Sequence, residues 1–78
     1  MKLEIITPET TLYQGTAKAL LVPGTDGFIG ILDNHAPLIS TLKEGQIKIT
    51  DEKGAETLFP INGGVVEVLN NKVIVLAD

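Results

Sequence analysis

The sequence predicts an all-β domain: a small sandwich or flattened barrel of about nine to ten short, mostly antiparallel strands. Three observations predict it. Gly and Pro recur at short intervals, and the runs between them are roughly four to eight residues rich in Val, Ile, Leu and Thr, which is the spacing of sandwiches and barrels. Apolar and polar residues alternate with period two, most clearly in GQIKIT (45–50), where Ile47 and Ile49 point one way and Lys48 and Thr50 the other. No window sustains an apolar stripe of helical period, so little or no helix is expected.

Taken in order, KLEII (2–6) reads as the first strand, and TTLY (10–13) and TAKALLV (16–22) follow on either side of Gly15. GFIGIL (27–32) lies beyond a glycine-rich turn, and LISTL (38–42) begins after Pro37. GQIKIT is next, then AETLFPI (55–61), where Pro60 has no N–H to give a ladder and so marks an edge or a bulge. GGVVEVL (63–69) points Val66 and Val68 inward and Glu67 outward, and KVIVLA (72–77) closes the set. Asn70-Asn71 suits a two-residue hairpin because Asn tolerates positive φ, and DEKG (51–54) places Gly54 at a left-handed position. Consecutive strands are therefore expected to pair antiparallel. Residues 1–78 read as one domain, without repeat, linker or low-complexity tract.

Composition removes several functions. A chain of 78 residues buries only roughly 60–65% of the surface it exposes when unfolded, so its core is thin and a partner can add materially to its stability. Without cysteine there is no disulfide, thiolate metal site or cysteine nucleophile. The opening MKLEIITPE breaks the apolar core of a signal peptide with Glu4, Pro8 and Glu9, and no apolar run approaches the roughly 20 residues of a membrane span. A cytosolic or membrane-peripheral protein is expected. All six basic residues are lysine, the net charge is −4 and aromatic residues are few, which argues against nucleic acid.

The densest stretch is PGTDGFIGILDNHAPL (23–38). His35 is the only residue suited to general-base work near neutral pH, yet Ser40, Thr41, Asp33 and Asp26 lie in ordinary strand and loop contexts without a nucleophile elbow. One histidine is also too few for zinc. GTDGFIG is followed by neither a Lys–hydroxyl pair nor a helix N-terminus, so its glycines read as turn formers and not as a phosphate cradle. The carboxylates are scattered, and DEKG lacks the alternating ligands of a calcium loop. Phe28 and Ile29 are adjacent, and alternation can bury only one of them; the other is available to a docking patch.

Gly24, Gly27, Gly30 and Ile31 followed by His35-Ala36-Pro37-Leu38 resemble the signature of the epsilon-subunit family of the rotary proton-translocating ATP synthase. LEIITPETTLYQG (3–15) is similar to that family's opening, NGGVVEV (62–68) to its double-glycine strand and VLAD (75–78) to the end of its first domain, so the resemblance covers almost the whole chain. It implies a small β-sandwich with no catalytic residues and no cofactor. The resemblance also implies a role in the central stalk, fastening the gamma subunit to the ring of c subunits and coupling proton flow to ATP synthesis. The implied location is a peripheral membrane complex at the cytoplasmic face of a bacterial inner membrane, or less readily the stromal face of a chloroplast, without direct insertion.

Carried over by motif, the ring-facing loop is Gly24, Thr25, Asp26, Gly27, Phe28, Ile29 and Gly30, and the gamma-facing surface includes Thr7, His35, Ser40 and Leu42. The chain departs from the family at Phe28, where an acidic residue is frequent, at Asp33-Asn34, where Pro-Gly is frequent, and at Asn62, which replaces a frequent serine. The family usually continues past the equivalent of Asp78 into a regulatory two-helix hairpin; a chain ending there, by nature or by truncation, is expected neither to bind ATP nor to inhibit in the hairpin manner. From the residues alone, the alternative is a free-standing sandwich that takes a peptide or small ligand along an edge such as the one Pro60 implies.

Overall fold

The computed structural model describes Met1–Asp78 as nine strands and no helix: β1 (Lys2–Ile6), β2 (Thr11–Thr16), β3 (Ala19–Gly24), β4 (Gly27–Leu32), β5 (Leu38–Leu42), β6 (Gly45–Thr50), β7 (Glu56–Ile61), β8 (Gly64–Leu69) and β9 (Lys72–Ala77). They form one sheet in the order β2-β1-β9-β8-β5-β3-β6-β7, with β4 paired to β3 off this path. The sheet folds over at β3, which pairs with β6 through Ala19–Leu21 and with β5 through Gly24 alone. A first half, β2-β1-β9-β8-β5, thus faces a second, β4-β3-β6-β7. Their outer strands meet where the Tyr13 ring of β2 stands edge-on to Phe59 of β7, centroids 6.4 Å apart at 74°.

Strict alternation fills the space between the halves. Leu3 and Ile5 of β1, Ile47 and Ile49 of β6, Val66 and Val68 of β8, and Val73 and Val75 of β9 are buried on the inner side, in one cluster with Leu20, Val22 and Ile31. No polar or charged side chain is buried, so the core's polar groups are those of the backbone, which the strand ladders pair, and the Met1 α-amino group, which donates to Ala17 O. The inward and outward assignments read from GQIKIT and VVEV both hold. So do the turns: Asn70 and Asn71 take φ 52° and 59°, the handedness that a two-residue hairpin needs. The Asp51 carboxylate closes the β6–β7 turn by accepting from the Lys53 and Ala55 N–H groups. Pro60 lies on β7, an end strand of the sheet.

Two expectations need correction. Only four consecutive pairs are antiparallel hairpins, β1–β2, β3–β4, β6–β7 and β8–β9, while β1 lies parallel to β9 from Lys2↔Lys72 to Ile6↔Leu76. Turn residues signal only the pairs they join, and β1 and β9 are separated by nearly the whole chain. The second correction is the break between β2 and β3, which falls at Ala17–Lys18 and not at Gly15. Gly15 continues the ladder opposite Leu3. Ala17, buried, gives its N–H to Met1 O at 3.0 Å and accepts from the Met1 α-amino group at 2.9 Å, so the chain turns there from one half to the other.

The same α-amino group is paired with the Asp33 carboxylate. Next to it, Asn34 takes φ 63° and gives its N–H to Asn71 Oδ1 at 2.8 Å. Where the resembled family often has Pro-Gly, this chain therefore uses an ion pair and an asparagine that tolerates the left-handed conformation. The β4–β5 loop is held to the amino terminus and to the β8–β9 hairpin.

At the opposite end the double glycine bends the chain into β8. Gly64 has φ 144°, and a Cβ on it would stand 2.1 Å from Leu76 O. At Gly30 a Cβ would meet nothing. Gly64→Ala is therefore expected to cost more than about 2 kcal/mol or to prevent folding, and Gly30→Ala to change stability by no more than about 1 kcal/mol. Urea denaturation of both variants measures this, and equal midpoints would contradict it.

Candidate functional site

The glycine-rich stretch forms the β3–β4 hairpin, with Thr25-Asp26 as its two-residue tip and Gly24 opposite Gly27. Gly27 has φ 135°, and Gly24 is buried so tightly that a Cβ would lie 2.5 Å from Gly27 O. A side chain is excluded at Gly24 by lack of space and is strained at Gly27 by the backbone conformation. The tip is held from the side by β5: Thr25 N–H donates to Thr41 O at 3.0 Å, Lys43 N–H donates to Pro23 O at 2.9 Å, and the Thr25 and Thr41 hydroxyls share a hydrogen bond of 2.8 Å.

Alternation along β4 settles which of the adjacent apolar residues is free. Ile29, opposite Val22, is half-buried and packs on the core, whereas Phe28, opposite Pro23, is 68% exposed. Of the seven residues carried over as ring-facing, Thr25, Asp26, Gly27, Phe28 and Gly30 are at the surface, while Gly24 and Ile29 shape the hairpin from within. Glu9, Glu44 and Asp78 lie in the loops and terminus at this same end, with Lys43 as the one cation among them.

The residues carried over as gamma-facing do not form one patch. Thr7 sits in the β1–β2 turn, where its N–H donates to Thr10 O at 2.8 Å, and it lines a cleft of about 710 Å3 with Thr41, Leu42, Leu76 and Asp78. Leu42 itself is only 6% exposed, because it is on the inner side of β5. Its side chain faces mainly the core and leaves only its edge to the cleft. Ser40, opposite Val66 on the same inner side, is half-buried. His35 lies at the other end of β5, its N–H on Leu32 O at 3.2 Å and its Nδ1 donating to Ala36 O at 2.7 Å. It is held locally and has no acid or hydroxyl partner.

The outward side of the first half carries none of the residues named by motif except Thr7 at its border. Register places Ile6, Leu76, Val65 and Thr41 in one row across β1, β9, β8 and β5, and Glu4, Ile74, Glu67 and Ile39 in the next. Ile39 is 72% exposed, and Leu69 and Leu76 are also exposed. The outward side of an antiparallel sheet is ordinarily polar. This one is apolar at five of the eight positions named, interrupted by Glu4, Glu67 and Thr41. A signal was present in KVIVLA, apolar on both parities, which is how a strand covered on both faces reads.

Comparison with known proteins bears on this geometry. The family model for the ATP synthase delta/epsilon chain β-sandwich domain matches residues 1–78. The chain is 41% identical to the ATP synthase epsilon chain of Alkalilimnicola ehrlichii over 78 residues, all of this chain and 56% of that protein. It is 42% identical over 78 residues to the epsilon chain of Leptospira interrogans, of which it covers 61%. It thus spans somewhat more than half the length of these relatives. Among solved structures, a chain of the Euglena gracilis mitochondrial ATP synthase, seen by cryo-EM with OSCP, F1 and c-ring, superposes with TM-score 0.89 at 21% identity, over 96% of this chain and 48% of that one. A chain of the central stalk and c-ring of the Tetrahymena thermophila mitochondrial ATP synthase gives 0.76 at 18%, over 97% and 61%. At these identities the two structures speak for the fold.

The contrast between Phe28 and Ile29 is testable by stability alone. Phe28→Asp should shift the unfolding free energy by less than about 0.5 kcal/mol, because the ring is largely in water. Ile29→Asp should cost about 3 kcal/mol or more, because it sets a charge against the core. Chemical denaturation reads both, and unfolding by Phe28→Asp would contradict the outward placement.

Proposed function

The chain belongs to the ATP synthase delta/epsilon-chain β-sandwich family, and from that premise we propose that it is a non-catalytic subunit of the central stalk, joining the gamma subunit to the ring of c subunits. In this reading the β3–β4 hairpin tip with Phe28 faces the ring, and the outward side of the first half, with Ile39, Ile74 and Leu76, lies against the gamma subunit. Thr7 and His35 bound that surface at its two ends, and Ser40 and Leu42 support it from beneath. The complex works as a peripheral assembly at the cytoplasmic face of a bacterial inner membrane, and this chain binds no nucleotide.

The observation that carries the reading is the uncovered apolar side of β1-β9-β8-β5. Apolar surface gathered on one sheet face marks a protein contact, and a chain with so thin a core gains stability when that face is covered. The chemistry asked of the subunit is mechanical: it transmits rotation. A close-packed β core deforms little under force, which suits the task. At the ring end Phe28 replaces a frequent carboxylate, and Asp26 at the tip keeps a negative charge next to it.

Size-exclusion chromatography with the cognate gamma subunit tests the pairing. Co-elution at micromolar concentrations is expected, and Ile39→Asp with Leu76→Asp should lower the affinity by about 10- to 100-fold. Phe28→Asp should leave co-elution intact while weakening retention of the stalk on membranes that contain the ring. Absence of a complex with the wild-type chain would overturn the reading.

A further inference from the structure

The backbone ladder passes from the first half of the sheet to the second at a single residue pair, Gly24 with Leu42. Two backbone hydrogen bonds bracket that pair, Thr25 N–H to Thr41 O and Lys43 N–H to Pro23 O. A third link is made by side chains, the Thr25 and Thr41 hydroxyls 2.8 Å apart. Thr25 is half of the hairpin tip, and Thr41 stands in the outward row with Ile6, Leu76 and Val65. The tip is therefore joined to the apolar face by a backbone bond and by this side-chain bond, and the latter lies outside the core, since both threonines are exposed.

We propose that Thr25 and Thr41 are a positioning pair that sets the angle of the β3–β4 hairpin tip relative to the β1-β9-β8-β5 face. The proposal rests on the stalk reading above and adds a specific device to it. A two-residue hairpin can twist about its own strands, and of the backbone bonds on either side of Gly24 only the one from Thr25 N–H reaches the tip. The hydroxyl pair adds a second constraint there, so that Thr25 is held by both its backbone and its side chain. Because neither hydroxyl is buried, the pair is dispensable for folding and its removal alters orientation more than stability. Valine keeps threonine's shape and strand preference but has no hydroxyl, whereas serine keeps the hydroxyl. The two substitutions therefore separate hydrogen bonding from packing.

Amide exchange on the purified chain gives the first readout. Thr41→Val should speed exchange at the residue 25 amide, whose N–H is held on the residue 41 carbonyl, by about two- to tenfold, the range of one net hydrogen bond, and Thr41→Ser should not. Thr25→Val should do the same, and the double variant should be no worse than either single one. In membranes carrying the assembled complex, Thr41→Val should weaken stalk retention by a similar factor, with Thr41→Ser restoring it. If valine and serine variants behave alike in exchange, the positioning role is overturned. Phe28→Asp run beside them separates the two layers of the argument. If Phe28→Asp weakens retention and Thr41→Val does not, the positioning pair fails while the stalk reading stands. If neither weakens it, the hairpin does not face the ring and both fail.

Discussion

The fold depends on the parallel pairing of its first strand with its last. β1 and β9 lie side by side from Lys2↔Lys72 to Ile6↔Leu76, with β2 on one flank and β8 on the other. Their inner residues Leu3, Ile5, Val73 and Val75 are without solvent exposure and line the middle of the core. Until the two ends of the chain meet, β1–β2 is a lone hairpin, which is not stable in water, and β9 is left as the uncovered end of β5-β8-β9. Closure of so long a loop is entropically costly, so the first half of the sheet gains its stability cooperatively.

That pairing also builds the outward face. Because β1, β9, β8 and β5 are in register, the alternation that places Val66, Val68, Val73 and Val75 inside places Val65, Ile74, Leu76 and Ile39 together outside. A one-residue slip would exchange the two sets. The core and the proposed contact surface are opposite sides of the same register. The hairpin belongs to the second half, and its hydrogen bonds to β5 and the residue after it run from Pro23 and Thr25 to Lys43 and Thr41 on either side of the Gly24↔Leu42 pair, so the relation between the two proposed contacts is set at that junction.

Much of this was legible in the sequence, and the limits are physical. Strand positions followed from alternation, and the turns from residues with special φ: Asn70-Asn71 and Gly54 behave as their chemistry requires. The β1–β9 pair was not legible, since nothing local encodes which distant strands meet. Nor was the break at Ala17, which depends on the amino terminus returning to that point. Among site residues, motif resemblance located the hairpin correctly as a loop, and alternation stated that one of Phe28 and Ile29 had to be exposed without saying which. That Leu42 is on the inner side of β5 was not legible either, because a motif gives position along the chain while the side of the strand is fixed by register against β8. The apolar outward face was visible in KVIVLA only as apolar residues of both parities, a pattern that asks for a cover without naming it.

The central claim is that this domain is gripped on one sheet face and at one hairpin tip while its other face stays free. Hydroxyl-radical footprinting of the chain, alone and within the assembled complex, tests it most directly. The account predicts protection of Ile39, Ile74, Leu76 and Phe28, with Leu58 on the outward side of β7 as reactive in the complex as in the free chain. Protection of Leu58 with Ile39, Ile74 and Leu76 left reactive would contradict it.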